Sequence, residues 1–155
     1  MRIRKATKKD LESLNKLQIG LAKYEAKLRK TLIDPEKVRK WYEKHYKKMI
    51  KKKNCAFFVA EVNGKIVGYI LGGIETPTHR HIYKRRGYIH DAFILDEYRR
   101  KRVGKQLTQK LFKWFKSKGI KWIRVDAYTN NRVGINFWKK MGFKEYVLEM
   151  TKVIK

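Results

Sequence analysis

Apolar residues recur at helical intervals in the first third of the chain. Leucines between positions 11 and 28 follow three- and four-residue spacing, which is typical of an amphipathic helix. Thr7, with Asp10 three residues later, is expected to cap the start of that helix. A second helix is predicted to begin at Asp34-Pro35, because Asp accepts hydrogen bonds at an N-cap and proline fits the first turn.

Shorter apolar runs predict strands in the rest of the chain. Strands are expected at 2–5, 56–62, 66–73, 88–95, 122–128 and 143–153, with further helices at 103–119 and 132–141. Asn63-Gly64 between two β-rich runs indicates a two-residue hairpin turn. No repeat or linker interrupts the pattern, so the sequence predicts one α/β domain over 1–155 with a mixed sheet.

Several classes of protein are disfavoured by what the sequence lacks. Cys55 is the single cysteine, so neither an internal disulfide nor a CxxC site is expected. His79 and His81 are close in sequence but have no acidic or cysteine partner nearby, so no metal site is expected. No apolar stretch approaches the length of a membrane span, and a cytoplasmic location is the resulting expectation.

The charge of the chain changes this picture. There are 41 lysines and arginines against 14 aspartates and glutamates, a formal net charge of +27. Such an excess favours polyanionic partners, which include a nucleotide cofactor, nucleic acid, a ribosome or an acidic protein. A solvated basic surface without a partner is the alternative explanation.

A basic turn between the predicted strand at 88–95 and the helix that follows is the strongest candidate for ligand binding. Free N–H groups and the positive end of the helix dipole at such a position attract anions, and Gly104 would let a phosphate approach the backbone. The P-loop pattern GxxxxGK[ST] and the dinucleotide pattern GxGxxG are both absent. The turn therefore predicts a phosphate site of another kind, with a solvated basic turn as the alternative.

The sequence around this turn resembles the GNAT superfamily of N-acetyltransferases. The family motif [Q/R]-x-x-G-x-[G/A] is matched at 99–104, after a strand end at 94–98. The second family pattern, N-x-x-A-x-x-F-Y-x-x-x-G-F, is matched at 131–143. The opening residues 3–7 and the hairpin at 64–69 also look like the family, so the resemblance spans essentially the whole chain.

The resemblance implies a mostly antiparallel mixed sheet flanked by helices, with two strands splayed to hold acetyl-CoA. The pantetheine arm would then bond to the backbone of Ala92, Phe93 and Ile94, and the pyrophosphate to the N–H groups of the turn. The cofactor-binding residues implied are Ala92, Phe93, Ile94, Arg99, Arg100, Lys101, Arg102, Val103, Gly104, Lys105, Asn131 and Trp138. Asn131 matches the family residue that helps to hold the pantetheine arm.

Two departures from the family pattern matter for the chemistry. Arg102 replaces the first motif glycine, so the turn must tolerate a side chain, which can instead clamp a phosphate. Trp138 replaces the tyrosine that usually protonates the departing thiolate, and an indole does not titrate usefully. Tyr98, Tyr128, Tyr146 or water can take that role. A dedicated acid is also unnecessary if the thiol, with a free pKa of about 8.5, leaves readily.

The acceptor amine must lose a proton before it attacks, so a base is needed. The candidates are His90, Asp91 and Asp126, all on the two strands expected to flank the thioester. Regular alternation along a strand would place His90 and Asp91 on opposite faces, so only one of that pair is expected to matter. An amide N–H at Phe93–Ile94 would serve as oxyanion donor.

The expected function is acetyl transfer from acetyl-CoA to a primary amine by direct attack in a ternary complex. A basic module that docks on nucleic acid or a ribosome is one alternative, although no nucleic-acid motif accompanies the charge. A protein that binds acyl-CoA but has lost transfer is another, which Trp138 permits. The resemblance also admits a homodimer, and neither metal nor membrane contact is expected.

Overall fold

The computed structural model describes residues 1–77 and 82–154 of the chain. The helices and strands in chain order are β1 Arg2–Lys5, α1 Leu11–Arg29, α2 Pro35–Lys51, β2 Cys55–Val62, β3 Lys65–Glu75, β4 Arg86–Ile94, α3 Val103–Ser117, β5 Ile123–Val125 and α4 Arg132–Lys140. Short 3-10 turns precede α1 and follow β4. The pair His79 and His81 lies outside the described residues.

The predicted helix starts are confirmed. The Asp34 side chain accepts hydrogen bonds from the N–H groups of Glu36 and Lys37, and Pro35 is the first residue of α2. At the other start, the Thr7 N–H donates to Asp10 Oδ2 over 2.7 Å, although one turn of 3-10 helix intervenes before α1.

One five-stranded sheet runs in the order β1-β2-β3-β4-β5. The first four strands are antiparallel neighbours, and β5 pairs in parallel with β4. Asn63 and Gly64 have φ angles of +48° and +76°, the left-handed pair that a tight hairpin needs, as their sequence predicts. This sheet, with helices on both faces, confirms the predicted mixed and mostly antiparallel architecture.

The sheet separates two hydrophobic cores. On one face, α3 packs Leu107, Leu111 and Phe115 against β2, β3 and β4. On the other, α1 and α2 bury Leu14, Leu17 and Tyr46 against Phe57, Tyr69 and Leu71 of the sheet. Among the described residues, none of the helices combines the length and the hydrophobicity that a membrane span requires.

Two predicted strands differ in the structure. β5 covers three residues of the predicted 122–128, since its pairing with β4 ends at Ile89 and Val125. The predicted last strand at 143–153 is wrong: these residues form no strand, and most of their side chains are exposed. Alternating apolar residues favour a strand only where a neighbouring strand pairs with them, and here none does.

A β-bulge in β4 corrects the expected placement of His90 and Asp91. Leu71 pairs with Asp91 and Gly72 pairs with Ile89, so His90 is an extra residue in β4. A Cβ on Gly73 would lie 2.7 Å from His90 Nε2, and Gly73 shares its face of β3 with Leu71. The bulge therefore brings His90 and Asp91 to the same face, the one covered by α1 and α2.

Candidate active site

A gap opens between β4 and β5 because the two strands stop pairing while β4 continues. The last pair joins Ile89 to Val125, and β4 runs on to Ile94. The Leu95 N–H donates to the Val67 carbonyl over 3.0 Å. By antiparallel alternation, the backbone groups of Phe93 then face β3, whereas those of Ala92 and Ile94 face the gap.

The Ile94 carbonyl is already occupied within this gap. Arg99 Nε donates to it over 3.2 Å, and the Arg99 guanidinium also pairs with Asp96 over 2.9 Å. The same group lies 5.6 Å from the Tyr24 ring centroid and 5.7 Å from that of Phe93. Arg99 therefore holds the turn against β4 and α1, and the backbone groups that remain toward the gap are those of Ala92 and the Ile94 N–H.

The turn from Arg100 to Lys105 presents a row of unused N–H groups. Within the described residues, none of these six N–H groups has a hydrogen-bond acceptor; the first helical bond runs from the Gln106 N–H to the Arg102 carbonyl. Arg100 and Arg102 have φ angles of +58° and +63°, which curl the backbone into a concave nest. Such a nest at the start of α3 fits a phosphate or pyrophosphate.

Gly104 in this turn has a packing role. A Cβ there would lie 3.0 Å from Ile94 Cδ1 and 3.1 Å from Phe137 Cε2. The glycine thus allows α3 to approach β4 and α4 closely. The sequence analysis expected a glycine here for another reason, the close approach of a phosphate to the backbone.

A buried cluster of polar side chains, called the Asp91 pocket below, lies on the face of β4 that α1 and α2 cover. Tyr46 donates to Gln18 Oε1, lies 3.1 Å from the Tyr69 hydroxyl and 3.5 Å from Asp91 Oδ2. Tyr69 also donates to Gln18 Oε1. Asp91 therefore stands at the end of a buried hydroxyl and amide network, with His90 beside it on the bulge.

Burial shifts the protonation of this pocket toward neutral forms. It raises the pKa of Asp91 to about 6, and the nearby Glu25 carboxylate raises it further by repulsion. Burial likewise raises the pKa of Glu25 and lowers that of His90. A neutral His90 and a carboxylate whose pKa lies close to neutrality are both suited to accept a proton at pH 7.

Comparison with known proteins decides the family. A model of the acetyltransferase (GNAT) family matches residues 25–143. The chain belongs to the GNAT family.

The GNAT relatives share part of their length with this chain. It is 30% identical over 148 residues to an uncharacterised N-acetyltransferase of Methanocaldococcus jannaschii, covering 92% of this chain and 60% of that protein. It is 34% identical over 105 residues to an N-alpha-acetyltransferase of Sulfurisphaera tokodaii, covering 62% of this chain and 60% of that one. The chain thus spans 60% of the length of these two curated relatives.

The GNAT fold is also evident among solved structures. An aminoglycoside N-acetyltransferase crystallised with CoA superposes with a TM-score of 0.75 at 20% identity, covering 99% of this chain and 100% of that one. This likeness confirms the fold predicted from the sequence.

The other candidate residues lie apart from the pocket. Asp126 accepts from the Tyr88 hydroxyl over 2.9 Å and from Arg124 over 3.0 Å, and its side chain is 67% exposed. Tyr98 lies in the 3-10 turn beyond β4, with the ammonium groups of Lys65 and Lys101 over its ring. Of the four predicted catalytic residues, only His90 and Asp91 share the buried face of β4.

The second GNAT motif builds the start of α4. Asn131 is the N-cap, and its Oδ1 accepts from the Gly134 N–H over 3.0 Å and from the Tyr24 hydroxyl over 2.8 Å. Trp138 packs edge-to-face against Phe137 and Phe143, with ring centroids 4.9 and 5.5 Å away. Its indole is thus part of the packing around α4, and the role of either residue toward acetyl-CoA stays a prediction.

Glu25, Gln18 and Tyr42 also belong to the Asp91 pocket, although the sequence did not single them out. Gln18 and Glu25 are seven residues apart and fall on the same face of α1 as Leu14 and Leu21. Polar residues inside an otherwise apolar helical face were the available signal. Burial, with repulsion from Asp91 second, raises the pKa of Tyr42 to about 12, so its hydroxyl stays protonated in the pocket.

Proposed function

We propose that the chain transfers an acetyl group from acetyl-CoA to the α-amine of a peptide or protein. The observation that carries this proposal is the meeting of three features along β4: the gap toward β5, the row of unused N–H groups from Arg100 to Lys105, and the Asp91 pocket. Family membership supports acetyl-CoA as the donor.

The residues present fit the parts of acetyl-CoA. The turn offers N–H groups and the cations of Arg100, Lys101, Arg102 and Lys105 to the pyrophosphate. The free backbone groups of Ala92 and the Ile94 N–H can bond to the amide-bearing pantetheine arm. Acetyl-CoA would supply the electrophilic thioester carbonyl, and an N–H of β4 toward the gap would stabilise the oxyanion as it forms.

The acceptor amine would enter on the face covered by α1 and α2. Asp91 and Glu25 make this pocket electronegative, which favours an incoming ammonium group in a protein that is otherwise strongly basic. Asp91 or His90 takes the proton, directly or through water, and the free amine attacks the carbonyl. The C–S bond then breaks, and the departing thiolate takes up a proton from solvent or from the pocket.

The pKa match favours an α-amine over a lysine side chain. An α-amine has a pKa of about 7.7–8.0 and a lysine amine about 10.4. A base with a pKa near 6 removes the first proton with much less cost than the second. The Sulfurisphaera relative is named for transfer to α-amines, which agrees with this choice.

Release of free CoA thiol with a panel of amines tests the proposal. We expect turnover with peptides that have a free N-terminus, and none with the same peptides when the N-terminus is blocked and an internal lysine is left free. If only an aminoglycoside is acetylated, the acceptor is an aminoglycoside amine and not the α-amine of a peptide. Acetyl-CoA binding by calorimetry without turnover of any amine would favour the acyl-CoA-binding alternative, and no binding would refute the proposal.

A second candidate function is binding of single-stranded nucleic acid on the opposite face of the sheet. Residues 98–125 contain 11 lysines and arginines and no acidic residue. A groove of about 490 Å³ lies there, lined by Arg2, Ile3, Arg4, Lys5, Phe58, Lys110, Lys113 and Trp114. Arg4 is neutralised by Asp10 and Glu61, whereas Lys110 and Lys113 form no ion pair within the described residues.

Fluorescence anisotropy with a labelled poly(dT) oligonucleotide tests this second function. Affinity should fall steeply with salt, because each neutralised phosphate releases a counterion. Lys110→Gln with Lys113→Gln should flatten the salt dependence, while Lys23→Gln with Lys44→Gln on α1 and α2 removes the same charge and should change it less. If the two double variants change the salt dependence equally, or if no oligonucleotide binds at low salt, the basic face does not bind nucleic acid and only keeps the surface hydrated.

A further inference from the structure

Gln18 lies at the centre of the hydrogen bonds in the Asp91 pocket. Its side chain is buried, and its Oε1 accepts from the hydroxyls of Tyr46 and Tyr69, which are buried as well. The same side chain also hydrogen-bonds to the Tyr42 hydroxyl. Burial raises the pKa of Tyr46 and of Tyr69 well above the ordinary value, so both keep their proton at neutral pH. Both protons are therefore directed at one oxygen atom of Gln18.

The direction of these hydrogen bonds leaves Asp91 without a proton from Tyr46. A hydroxyl has one proton to donate, and Tyr46 donates it to Gln18. The Tyr46 oxygen is 3.5 Å from Asp91 Oδ2, which is longer than a good hydrogen bond between oxygen atoms. The lone pairs of that oxygen thus face the carboxyl group, and they disfavour its charged form.

The ionisable groups around Asp91 come from helices and strands on every side of it. They are Glu25 and Arg29 on α1, Tyr42 and Tyr46 on α2, Tyr69 on β3 and His90 on β4. The Arg29 cation acts on Glu25 and on Tyr42. The Glu25 carboxylate acts on Asp91 in the same direction as burial. The hydroxyl orientation that Gln18 imposes adds to both, because it too favours the neutral carboxyl group.

We infer that Gln18 is a positioning residue for proton transfer, because it accepts both tyrosine protons and so prevents the Tyr46 hydroxyl from donating to Asp91. Without this acceptor, the Tyr46 proton would turn to the Asp91 carboxylate, stabilise its charge and make it a weaker base. The effect on the rate of acetyl transfer rests on the proposed function, in which Asp91 or His90 takes the proton of the amine. The effect on the titration of Asp91 needs no substrate.

Carbon-13 NMR titration of the Asp91 carboxyl group in the unliganded full chain tests the inference. Gln18→Met keeps a side chain of similar length but removes the acceptor, so the pKa of Asp91 should fall by about one pH unit or more. Leu14→Met places the same residue one turn earlier on the same buried face of α1, and it should leave that pKa unchanged. An unchanged pKa in Gln18→Met would overturn the inference.

Tyr46→Phe distinguishes the two directions of the Tyr46 hydroxyl, and it decides the question even if Gln18→Met does not fold. If the hydroxyl donates to Gln18, its removal should leave the pKa of Asp91 unchanged or lower. A rise would show that Tyr46 donates to Asp91 in the wild type, and the inference would be wrong. In the double variant, the pKa should return to that of Tyr46→Phe alone. A double variant that keeps the low pKa of Gln18→Met would also contradict the inference.

The pH–rate profile of acetyl transfer provides a second readout. The acidic limb, expected near pH 6 in the wild type, should move down in Gln18→Met by as much as the NMR titration does. The KM for acetyl-CoA should stay the same, because Gln18 lies in the Asp91 pocket and not at the turn. A limb that stays in place while the titration moves would refute Asp91 as the base and leave the action of Gln18 on Asp91 confirmed. If no amine is acetylated, the proposed function fails, and the titration still decides the inference.

Discussion

Asp91 is the residue whose chemistry depends most on its surroundings. Burial raises its pKa to about 6, so the folded protein holds this proton more tightly than the unfolded chain does. The stabilising contribution of protonated Asp91 is therefore fully present below a pH of about 4 and is lost as the pH rises through 6. At pH 7.5 the ionised carboxylate destabilises the fold.

We predict that Asp91→Asn is more thermally stable than the wild type at pH 7.5 and slower in acetyl transfer. A gain of 1 kcal/mol corresponds to about 2–4 °C in a domain of this size. Loss of a general base lowers kcat by roughly 100- to 10,000-fold, and the pH–rate limb near 6 should disappear. Melting curves and pH–rate profiles measure the two effects separately.

His90→Ala serves as the comparison, because the bulge places His90 on the same face as Asp91. If the histidine variant loses the rate and Asp91→Asn keeps its full pH–rate profile, the base is His90. If both variants keep wild-type rates, neither residue is the base.

Arg102 holds a backbone conformation that favours glycine. Its φ of +63° strains a residue with a side chain by about 1–2 kcal/mol. A glycine at this position would avoid the strain, but it would lose more backbone entropy on folding, which offsets part of the gain. We predict that Arg102→Gly raises the free energy of unfolding by up to about 1 kcal/mol and weakens acetyl-CoA binding several-fold. Differential scanning fluorimetry and calorimetry measure these changes.

Arg102→Ala is the matched control, since it removes the cation and leaves the left-handed backbone strained. It should weaken acetyl-CoA binding as much as Arg102→Gly does, without the gain in stability. Unchanged affinity in both variants would show that the Arg102 side chain makes no contact with the phosphates.

At the level of single residues, the sequence indicated the basic turn through its motif spacing, and it indicated His90 and Asp91 through their place on the strand expected to flank the thioester. The roles of these residues stay predictions. The sequence could not show that His90 and Asp91 share a face, since a bulge depends on how β3 pairs with β4. Glu25 and Gln18 were missed for a related reason: Gln18 accepts from Tyr46 and Tyr69, and Glu25 acts on Asp91 by charge repulsion. No local pattern records such interactions between α1 and other parts of the chain.

At the level of elements, helices and hairpins were predictable and the strands beyond β4 were not. The caps at Asp34 and the turn at Asn63-Gly64 act through neighbouring residues, so their sequence determines them. β5 is short because its partner strand diverges from it, and 143–153 forms no strand because it pairs with none of the five strands of the sheet. Both outcomes depend on distant parts of the molecule.

Gly104 links three of these elements, which leads to a prediction about packing. Its missing Cβ leaves room for Ile94 of β4 and Phe137 of α4. We predict that Gly104→Leu lowers the free energy of unfolding by about 1–3 kcal/mol, because overpacking pushes α3 away from both. Thermal melting without any ligand measures this loss.

Lys105→Leu provides the control for that variant, because Lys105 is exposed in the same turn of α3 and a leucine there should change stability little. Should Gly104→Leu melt like the wild type and fail only to bind acetyl-CoA, the glycine is required by the ligand and the packing argument is wrong.

At the scale of the whole molecule, charge is distributed unevenly. Six of the 14 acidic residues lie between positions 10 and 43, on and around α1 and α2, and five of them form ion pairs with lysines and arginines. The stretch 98–125 has none. The face of α3 is therefore a region of mutual repulsion, which the folded state must hold together.

Because repulsion among like charges is screened within about 10 Å at 0.1 M salt, added salt should stabilise this protein. We predict that the melting temperature rises as NaCl increases from about 0.05 to about 0.5 M, with the Debye length shortening accordingly. If the exposed ion pairs of α1 and α2 dominated instead, salt would weaken them and the melting temperature would fall.

Lys110→Glu with Lys113→Glu lowers the net charge by four on the α3 face, so this variant should melt higher than the wild type at low salt and lose most of that advantage at high salt. A melting temperature that is independent of salt in both proteins would mean that the charge of +27 is too dispersed to act on the fold, and that its effect is confined to partners.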